Sequence, residues 1–354
     1  MERVVVGMSG GVDSAVAAYL LKKKGYDVAG VMLRTWTSDS GEMSRCCEID
    51  DARHIADVLD IPFYVKNCED LFDKTICRPF MDAYINGITP NPCIICNRYV
   101  KWEKMIEMAD ILEADLVATG HYANVVATDS GRYTLRRADH AQKDQTYMLY
   151  ALTQEMLLRT LMPLGTLSKD EVRRIAKEAA IPVADKADSQ EICFIPDDDH
   201  VRYITENHDG PLPGPGNFVD ELGSILGRHA GIINYTVGQR KGLGIALGHP
   251  MYVKRIDSKT NEVVLAEDEA LYVSTVRCSD VNFMGIATAD DNDIRCFAKI
   301  RYRHDPQSAA AHMEGEDLVI TFDEPVRAAA PGQSAVLYDE AGCVICGGII
   351  KKGY

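Results

Sequence analysis

A glycine-rich run near the start of the chain, Ser9-Gly10-Gly11-Val12-Asp13-Ser14, is typical of a turn that binds phosphate. Its two glycines let the backbone approach an anion, and the N–H groups at the start of a following helix point at the bound group. Asp13 could hold a magnesium ion that bridges the phosphates, and Ser14 could add a hydroxyl. The run lacks the Lys-Ser/Thr pair of a Walker A loop, so it does not predict transfer of a terminal phosphate. The alternative is an ordinary strand-to-helix turn in which Asp13 or Ser14 only caps the helix.

Cysteines are the second group of residues that could do chemistry. Cys93 and Cys96 form a Cys-x-x-Cys pair in a stretch with two prolines, residues 89–97, which the sequence predicts as a loop just ahead of a helix. A helix start lowers the pKa of a nearby thiol and so favours the reactive thiolate. Cys193 lies in a short apolar run, residues 192–195, and a cysteine in that setting, considered alone, is more often an inert core residue.

A second Cys-x-x-Cys pair, Cys343 and Cys346, lies near the end of the chain. On spacing alone it could combine with Cys93 and Cys96 into a four-cysteine zinc site. The residues around it, Val344-Ile345 and Gly347-Gly348-Ile349-Ile350, are instead typical of a buried final strand in which cysteines only pack.

The composition describes a large globular chain with an acidic balance. The 354 residues, 46% of them hydrophobic, allow two or three domains with substantial cores. The formal net charge of −15 argues against a protein that coats nucleic acid, so any such contact must be local. No apolar run approaches the ~20 residues that span a bilayer, and the first predicted strand begins at Arg3, too early for a signal peptide. Eleven cysteines in so long a chain are not a secreted disulfide framework. We therefore expect a cytoplasmic protein without a membrane partner.

The segments that must position the glycine run alternate between strand and helix patterns up to about residue 120. Strand patterns cover residues 4–7, 28–33, 63–65 and 116–119, and helix patterns cover residues 15–24, 49–59, 69–84 and 101–112. This alternation predicts an α/β fold, a parallel sheet flanked by helices. Ligands bind beyond the carboxyl ends of such strands, so Leu33 and Gly120 should reach the same edge as the glycine run.

The rest of the chain predicts two further domains. Hairpins are expected at residues 124–137 and 251–266, and helices over 144–152, 155–161 and 168–180, the last with a capping-box pattern at its start. A segment rich in proline and glycine, residues 209–216, indicates a boundary. Strand patterns from residue 272 onward predict a C-terminal antiparallel β-barrel. The predicted domains are residues 1–197, a small central domain at 198–270, and the barrel at 271–354.

Motifs spread over nearly the whole chain carry a family resemblance. They are Gly7-Met8-Ser9-Gly10-Gly11-Val12-Asp13-Ser14, Thr89-Pro90-Asn91-Pro92 with Cys96-Asn97, Ala118-Thr119-Gly120-His121-Tyr122, Lys143-Asp144-Gln145, Ile192-Cys193-Phe194-Ile195, Gly238-Gln239-Arg240-Lys241-Gly242-Leu243-Gly244, Arg301-Tyr302-Arg303 and Pro331-Gly332-Gln333-Ser334-Ala335-Val336. Several are weak alone, but their order is highly specific. The chain resembles the tRNA-specific 2-thiouridylases, PP-loop ATP pyrophosphatases that place sulfur on C2 of the wobble uridine of certain tRNAs.

The resemblance implies roles for particular residues and an N-terminal fold like that of the adenine nucleotide α-hydrolases. It implies ATP contacts at Gly7, Met8, Ser9, Gly10, Gly11, Val12, Asp13, Ser14, Leu33 and Gly120, with Asp13 also counted as catalytic. It implies contacts with the target base at Asn91, Pro92 and Cys93, and with the tRNA at Lys143, Asp144, Gln145, Arg301 and Tyr302. Cys96 resembles the family's catalytic nucleophile and Cys193 its persulfide-bearing cysteine.

The implied reaction uses ATP and Mg²⁺ to activate the wobble uracil of tRNAs for Lys, Glu and Gln. Uracil O2 is a poor leaving group, so adenylation with release of pyrophosphate must come first. A persulfide on Cys193 then delivers sulfur to C2, and Cys96 attacks that persulfide or closes a disulfide with Cys193 as AMP departs. The implied partners are tRNA and a persulfide donor or relay protein of a cysteine desulfurase system.

Cys93 departs from the family pattern, because many members carry an acidic residue at that position. A thiol is a much weaker acid, so the general acid/base role proposed there does not transfer. One hypothesis is that Cys93, Cys96 and Cys193 hold a [4Fe–4S] cluster whose open iron binds the incoming sulfide. The other is that Cys93 is a spare thiol beside a persulfide site.

Two other functions fit parts of the sequence. A PP-loop enzyme could adenylate a small molecule, but it would not need paired cysteines or the basic residues at 301–303. A zinc-containing RNA-binding module would use the glycine run only as a turn, and would show stoichiometric zinc and no stabilisation by nucleotides.

Overall fold

The computed structural model describes residues 1–37, 49–184, 192–246, 248–289 and 293–351. Its helices are α1 (Val12–Lys23), α2 (Ile49–Val58), α3 (Glu69–Phe72), α4 (Arg78–Ile85), α5 (Pro92–Cys96), α6 (Glu103–Ile111), α7 (Thr146–Leu149), α8 (Gln154–Leu158), α9 (Lys169–Glu178) and α10 (His200–Asn207), with π-helical turns at Asp73–Cys77 and Asn97–Trp102. Its strands are β1 (Arg3–Gly7), β2 (Asp27–Arg34), β3 (Phe63–Asn67), β4 (Leu116–Ala118), β5 (Ala123–Ala127), β6 (Tyr133–Arg137), β7 (Thr160–Leu161), β8 (Gly216–Val219), β9 (Ile225–His229), β10 (Tyr252–Asp257), β11 (Glu262–Ala266), β12 (Tyr272–Phe283), β13 (Ile294–Lys299), β14 (Gln307–Glu314), β15 (Asp317–Arg327), β16 (Ser334–Tyr338) and β17 (Val344–Ile350).

A parallel sheet in the order β3-β2-β1-β4-β7 forms the N-terminal part of the fold. Val4 and Val6 of β1 face one apolar core and Val5 faces another, since helices cover both sides of the sheet. β2, β1 and β4 are parallel neighbours. Their carboxyl ends, where the chain leaves each strand, therefore lie at one edge of the sheet. The predicted parallel sheet is confirmed, and so is the shared edge.

The predicted helix over residues 155–161 is wrong at its end. Helix α8 stops at Leu158, and Thr160 and Leu161 form β7, which pairs with β4. The Thr160 hydroxyl donates to the Met156 carbonyl at 2.6 Å and accepts from the indole of Trp102 at 2.8 Å. These long-range contacts override the local helical pattern. The helix predicted over 144–152 is likewise shorter, reduced to α7.

Cys93 and Cys96 lie inside a helix and not in a loop ahead of it. Helix α5, the π-helical turn Asn97–Trp102 and α6 follow without a break, so one helical rod runs from Pro92 to Ile111. Proline suits the first helical position because it lacks the N–H that would have no partner there. The prediction that the loop continues through the cysteines is therefore wrong.

The central part of the chain forms a small sheet in the order β10-β11-β8-β9. The predicted hairpin of β10 and β11 is confirmed, whereas α10 and the strands β8 and β9 were not predicted. β8 pairs parallel to β11. Phe218, Val263 and Leu265 are fully buried in the core of this sheet.

The C-terminal part is a closed barrel of strands β12-β15-β14-β13-β16-β17, as predicted. Cys278, Cys296 and Cys346 are buried in its core. Burial raises the pKa of the Cys278 and Cys296 thiols to about 12. These cysteines therefore stay protonated and contribute packing, as the strand pattern around Cys346 predicted.

Helix α7 joins the barrel to the parallel sheet. The Tyr147 hydroxyl donates to the Ser334 carbonyl at 2.9 Å, the Ser334 hydroxyl donates to the Tyr150 hydroxyl at 3.1 Å, and both tyrosines are buried. The two units thus share a packed interface. Within the described ranges, no helix has the length and apolar composition needed to cross a membrane.

Candidate nucleotide and thiol site

The glycine run forms the turn between β1 and α1. Gly10 adopts a left-handed conformation with φ +76°, whereas Gly11 is extended, so only Gly10 requires the conformational freedom of glycine. The buried Ser14 hydroxyl donates to the Gly11 carbonyl at 3.0 Å and accepts from the Ser9 N–H at 3.2 Å. Ser14 therefore fixes the shape of the turn. The first N–H groups of α1 lack intrahelical acceptors and lie at the edge where a phosphate could accept from them.

Gly120, which follows β4, lies directly on this turn. A Cβ atom at Gly120 would be 2.6 Å from the Ser14 nitrogen and 2.7 Å from the Asp13 carbonyl carbon. The two loops therefore pack backbone to backbone, which only glycine permits. Leu33 ends at the same edge on β2, so the structure brings together three segments that the sequence assigned to ATP. The remaining residues predicted to contact ATP are Gly7 at the end of β1 and the buried Met8 and Val12, which flank the turn.

Asp13 is held by two residues that the sequence did not single out for a role. The Tyr122 hydroxyl donates to Asp13 Oδ1 at 2.7 Å. The Lys169 ammonium donates to Asp13 Oδ1 at 2.8 Å and to Oδ2 at 2.9 Å. Tyr122 follows Gly120 and could have been suspected, but nothing in the local sequence places Lys169 near the turn.

His121 is held neutral beside the nucleotide edge. Its Nδ1 lies 2.9 Å from the Thr119 hydroxyl and its ring lies 5.5 Å from the Trp102 ring, centroid to centroid. Burial, with a smaller effect of Lys101, lowers the pKa of His121 to about 3. At neutral pH this imidazole therefore supplies no positive charge to a phosphate.

Acidification is expected to destabilise the fold through His121. The unfolded chain takes up a proton below the ordinary pKa of 6.5, while the folded chain does so only near pH 3. Stability is therefore full above about pH 6.5 and falls as the pH drops from there toward 3. Between about pH 7.5 and 5.5 the free energy of unfolding should fall by about 1 kcal/mol through this residue, as measured by urea titration. His121→Gln cannot titrate, so an equally steep loss in that variant would contradict the assignment.

Cys96 and Cys193 border the same apolar cluster, which we call the thiol cluster. Its buried members include Phe72, Phe80, Phe194 and Cys96, and Cys193 packs against them half-buried. Phe194 makes edge contacts with Phe72 at 5.6 Å and with Phe80 at 5.3 Å, centroid to centroid, and so anchors the segment that carries Cys193. Leu33 also packs against this cluster, which therefore adjoins the nucleotide edge.

The described cysteines do not form either of the metal sites that the sequence suggested for them. Among the described residues, no group of three His, Cys, Asp or Glu side chains is placed to hold a metal ion. Cys93 lies one helical turn from Cys96 on α5, but these two and Cys193 are not grouped as a three-thiolate site for a [4Fe–4S] cluster. The four-cysteine zinc site is also wrong, because Cys346 is buried in the barrel core, away from Cys96.

The barrel holds the loop that precedes Cys93. The Gln333 amide donates to the Thr89 carbonyl at 2.9 Å and to the Pro90 carbonyl at 3.4 Å, and the Thr89 N–H donates to the Pro331 carbonyl at 3.0 Å. On the other side of this loop, the Asn91 amide lies 3.6 Å from the Met148 sulfur. The segment with Asn91, Pro92 and Cys93 is therefore held between the barrel and α7.

The predicted tRNA contacts before α7 differ in exposure. Asp144 is buried, and its carboxylate accepts from the Ala138 N–H at 3.1 Å and from the Thr146 hydroxyl at 2.9 Å. That carboxylate is committed to protein partners, so an RNA contact at Asp144 would have to use its backbone. The Gln145 side chain accepts from the Tyr122 N–H at 2.9 Å and links this segment to the nucleotide edge. Lys143 is half-buried at the end of a 3₁₀ turn.

The predicted tRNA contacts of the barrel lie beside the same helix. The ring of Tyr302 packs 6.2 Å from that of Tyr147, centroid to centroid. Arg301 donates to the Arg327 carbonyl at 3.2 Å. Lys299 lies over both tyrosine rings, and burial lowers its pKa. The structure thus places residues 143–145 and Tyr302, which are far apart in the sequence, beside α7.

Three family models match the chain in consecutive blocks. The tRNA methyl transferase HUP domain matches residues 2–197, the tRNA methyl transferase PRC-barrel domain matches 207–267, and the aminomethyltransferase beta-barrel domain matches 273–350. The chain thus has the domain set of a class of tRNA-modifying enzymes.

Relatives of the same length narrow the class to one family. The tRNA-specific 2-thiouridylase MnmA of Clostridium perfringens is 48% identical over 99% of this chain and 99% of its own length. The enzyme of the same name from Lachnoclostridium phytofermentans is 47% identical over 99% of this chain and all of its own length. The chain belongs to the tRNA-specific 2-thiouridylase family. This membership argues against the alternative of a PP-loop enzyme that adenylates a small molecule.

The chain also has a distant likeness to some solved structures. The U34-tRNA thiolase NcsA from Methanococcus maripaludis, with its [4Fe-4S] cluster, is 18% identical, covers 59% of this chain and 67% of its own, and has a TM-score of 0.36. So weak a likeness gives no reason to transfer that cluster to this chain.

Proposed function

We propose that this protein is a tRNA-uridine 2-sulfurtransferase that makes 2-thiouridine at the wobble position of tRNAs for Lys, Glu and Gln. The observation that carries the proposal is that a phosphate-binding turn and a pair of cysteines lie near the same edge of the parallel sheet. The phosphate-binding turn lies at the end of β1. Leu33, near the end of the neighbouring strand β2, packs against the thiol cluster that contains Cys96 and Cys193. Family membership supports the same substrate.

The first step is adenylation of the base. Uracil O2 attacks the α-phosphorus of ATP, the bond between the α-phosphorus and the bridging oxygen breaks, and pyrophosphate leaves. The N–H groups at the start of α1 are preorganised to stabilise charge on the phosphates, since the Ser14 hydrogen bonds and the contact with Gly120 fix the turn. Mg²⁺, when bound by the phosphates and the Asp13 carboxylate, supplies further charge neutralisation.

The second step moves sulfur from Cys193 to C2. In one route, the Cys96 thiolate attacks Sγ of the Cys193 persulfide, the S–S bond breaks and the outer sulfur leaves as hydrosulfide. The two cysteines then form a disulfide, which supplies the two electrons that reduce the sulfur. The hydrosulfide attacks C2, and AMP leaves with O2. In the other route, the persulfide attacks C2 first, and the disulfide closes as AMP departs. An external thiol reduces the disulfide before another turnover.

The sulfur source is proposed to be a persulfide donor or a relay protein of a cysteine desulfurase system, acting in the cytoplasm. Cys193 is half-buried, so a donor can reach it without unfolding the thiol cluster. The proposed steps do not pass through an iron–sulfur cluster, since the described cysteines do not form a group of three that could hold one. Cys93 remains a proposed contact of the target base.

The nucleotide products test the first step. With unmodified tRNA and a persulfide donor, the enzyme should convert ATP to AMP and pyrophosphate in amounts equal to the 2-thiouridine formed. A transcript with cytidine at the wobble position is the matched control and should give no AMP above background. Release of ADP and phosphate, or equal AMP from both transcripts, would contradict adenylation of the wobble base.

Iron content tests the cluster-free route. Protein purified anaerobically should be colourless, contain no stoichiometric iron and still form 2-thiouridine. A preparation that shows a visible absorbance band and is active only with bound iron would restore the cluster hypothesis for Cys93, Cys96 and Cys193.

Gln333→Leu is expected to slow thiolation about fivefold to tenfold. The change removes two hydrogen bonds to the Thr89–Pro90 carbonyls, worth about 1 kcal/mol in total after desolvation, and loosens the loop before Cys93. ATP affinity should not change. Gln307→Leu is the control, since its amide donates to the Asp305 carbonyl on the barrel surface and not to the loop before Cys93. Single-turnover rates measure the effect, and equal rates in the two variants would show that the barrel does not position the loop.

A further inference from the structure

A lysine from a distant helix reaches the phosphate-binding turn. The Lys169 ammonium contacts both oxygens of Asp13, at 2.8 and 2.9 Å, and its side chain is only 10% exposed. Asp13 itself is 31% exposed, so the pair lies at the mouth of the turn with the lysine on its protein side.

The position of Lys169 is fixed by the fold. Lys169 is the first residue of α9, whose start is held by a capping box between Ser168 and Glu171. Val172 and Ala176 of α9 are buried in the core that contains α1. The lysine therefore projects from a rigid helix start that is packed on the helix of the phosphate-binding turn.

The turn needs a positive charge that its own residues do not provide. Residues 9–14 contain one acid and no base, whereas the triphosphate of ATP carries several negative charges. His121, next to Gly120, is kept neutral by burial. An ammonium ion within hydrogen-bond distance of Asp13 is placed to meet the outer phosphates of a nucleotide bound at the turn.

We propose that Lys169 binds the β- and γ-phosphates of ATP and stabilises pyrophosphate as it leaves. On nucleotide binding the ammonium exchanges Asp13 for phosphate oxygens, and the Asp13 carboxylate becomes available to Mg²⁺. As the bond between the α-phosphorus and the bridging oxygen breaks, the electron pair stays on pyrophosphate, and the lysine charge compensates it without a proton transfer. This role rests on the proposed ATP-dependent function and adds the residue that replaces the lysine of a Walker A loop.

Calorimetric binding of three probes tests the proposal: Mg-ATP, Mg-pyrophosphate and AMP. Lys169→Gln keeps a hydrogen-bond donor for Asp13 and removes the charge. It should weaken ATP and pyrophosphate binding at least about tenfold, the effect of losing one charge-assisted hydrogen bond, and leave AMP binding within about twofold. Lys169→Arg should retain most of the pyrophosphate affinity. Lys177→Gln, on the exposed side of the same helix, is the matched control and should bind all three probes as the unaltered protein does.

AMP affinity shows whether each variant still has a folded site. Lys169→Met is the second neutral variant if Lys169→Gln is unstable. Unchanged pyrophosphate affinity in the neutral variants, or equal losses for AMP and pyrophosphate, would overturn the proposal and leave Lys169 as a structural partner of Asp13. Absence of ATP and pyrophosphate binding in the unaltered protein would instead overturn the proposed function.

Discussion

Replacing Cys193 or Cys96 by serine is expected to lower 2-thiouridine formation by at least about a thousandfold, with ATP affinity unchanged. Serine cannot carry a persulfide at residue 193 and cannot accept sulfur or close a disulfide at residue 96. Because both thiols border the thiol cluster and not the phosphate-binding turn, the loss should appear in sulfur transfer alone. Single-turnover thiolation assays on unmodified tRNA measure it.

Two controls separate this effect from a general loss of structure. Cys343→Ser changes a half-buried cysteine of the barrel and should keep full activity. The Cys96→Ser variant should still accept a persulfide on Cys193, detectable by intact-protein mass spectrometry as one added sulfur. Full thiolation activity in both serine variants would contradict the assigned roles.

Gly120→Ala should have the second-largest effect, a loss of ATP affinity of at least about tenfold. The added Cβ would lie 2.6 Å from the Ser14 nitrogen and 2.7 Å from the Asp13 carbonyl carbon. These are backbone atoms of α1, so the turn must move away from the position that binds phosphate. Nucleotide titration measures the change.

Gly214→Ala is the matched control for Gly120→Ala. Among the described residues, no heavy atom beyond Gly214 and its two chain neighbours lies within 4 Å of a Cβ placed at Gly214, so this variant should bind ATP normally. Equal ATP affinity in the two variants would show that the contact between Gly120 and α1 does not shape the nucleotide site.

The sheet edge was predictable because it depends on local patterns. The apolar run of β1 and the Gly-rich turn after it are contiguous, and the alternation of strands and helices places Leu33 and Gly120 at the same edge. The barrel was predictable for the same reason, since turn residues separate its strands. What these predictions share is that each rests on residues close together in the sequence.

The parts that sequence patterns missed depend on contacts across long stretches of chain. In the sequence, Lys169 looks like an ordinary residue at the start of a helix. Only the packing of α9 on α1 brings it to Asp13. The burial of the Asp144 carboxylate was also not apparent from the sequence, because it depends on the neighbouring hairpin and α7; the contact of Asp144 with tRNA stays a prediction. The start of the helix at Pro92 was missed because Pro90 and Pro92 together suggest a loop, whereas proline at a first helical position is favourable.

Nucleoside mass spectrometry of tRNA treated with the purified protein tests the central claim most directly. Unmodified tRNA for Lys, Glu or Gln is incubated with ATP, Mg²⁺ and a persulfide donor, digested and analysed for 2-thiouridine. We predict one 2-thiouridine per tRNA, located at the wobble position and dependent on ATP. An unmodified wobble base, in the presence of a donor shown to be active, would contradict the account.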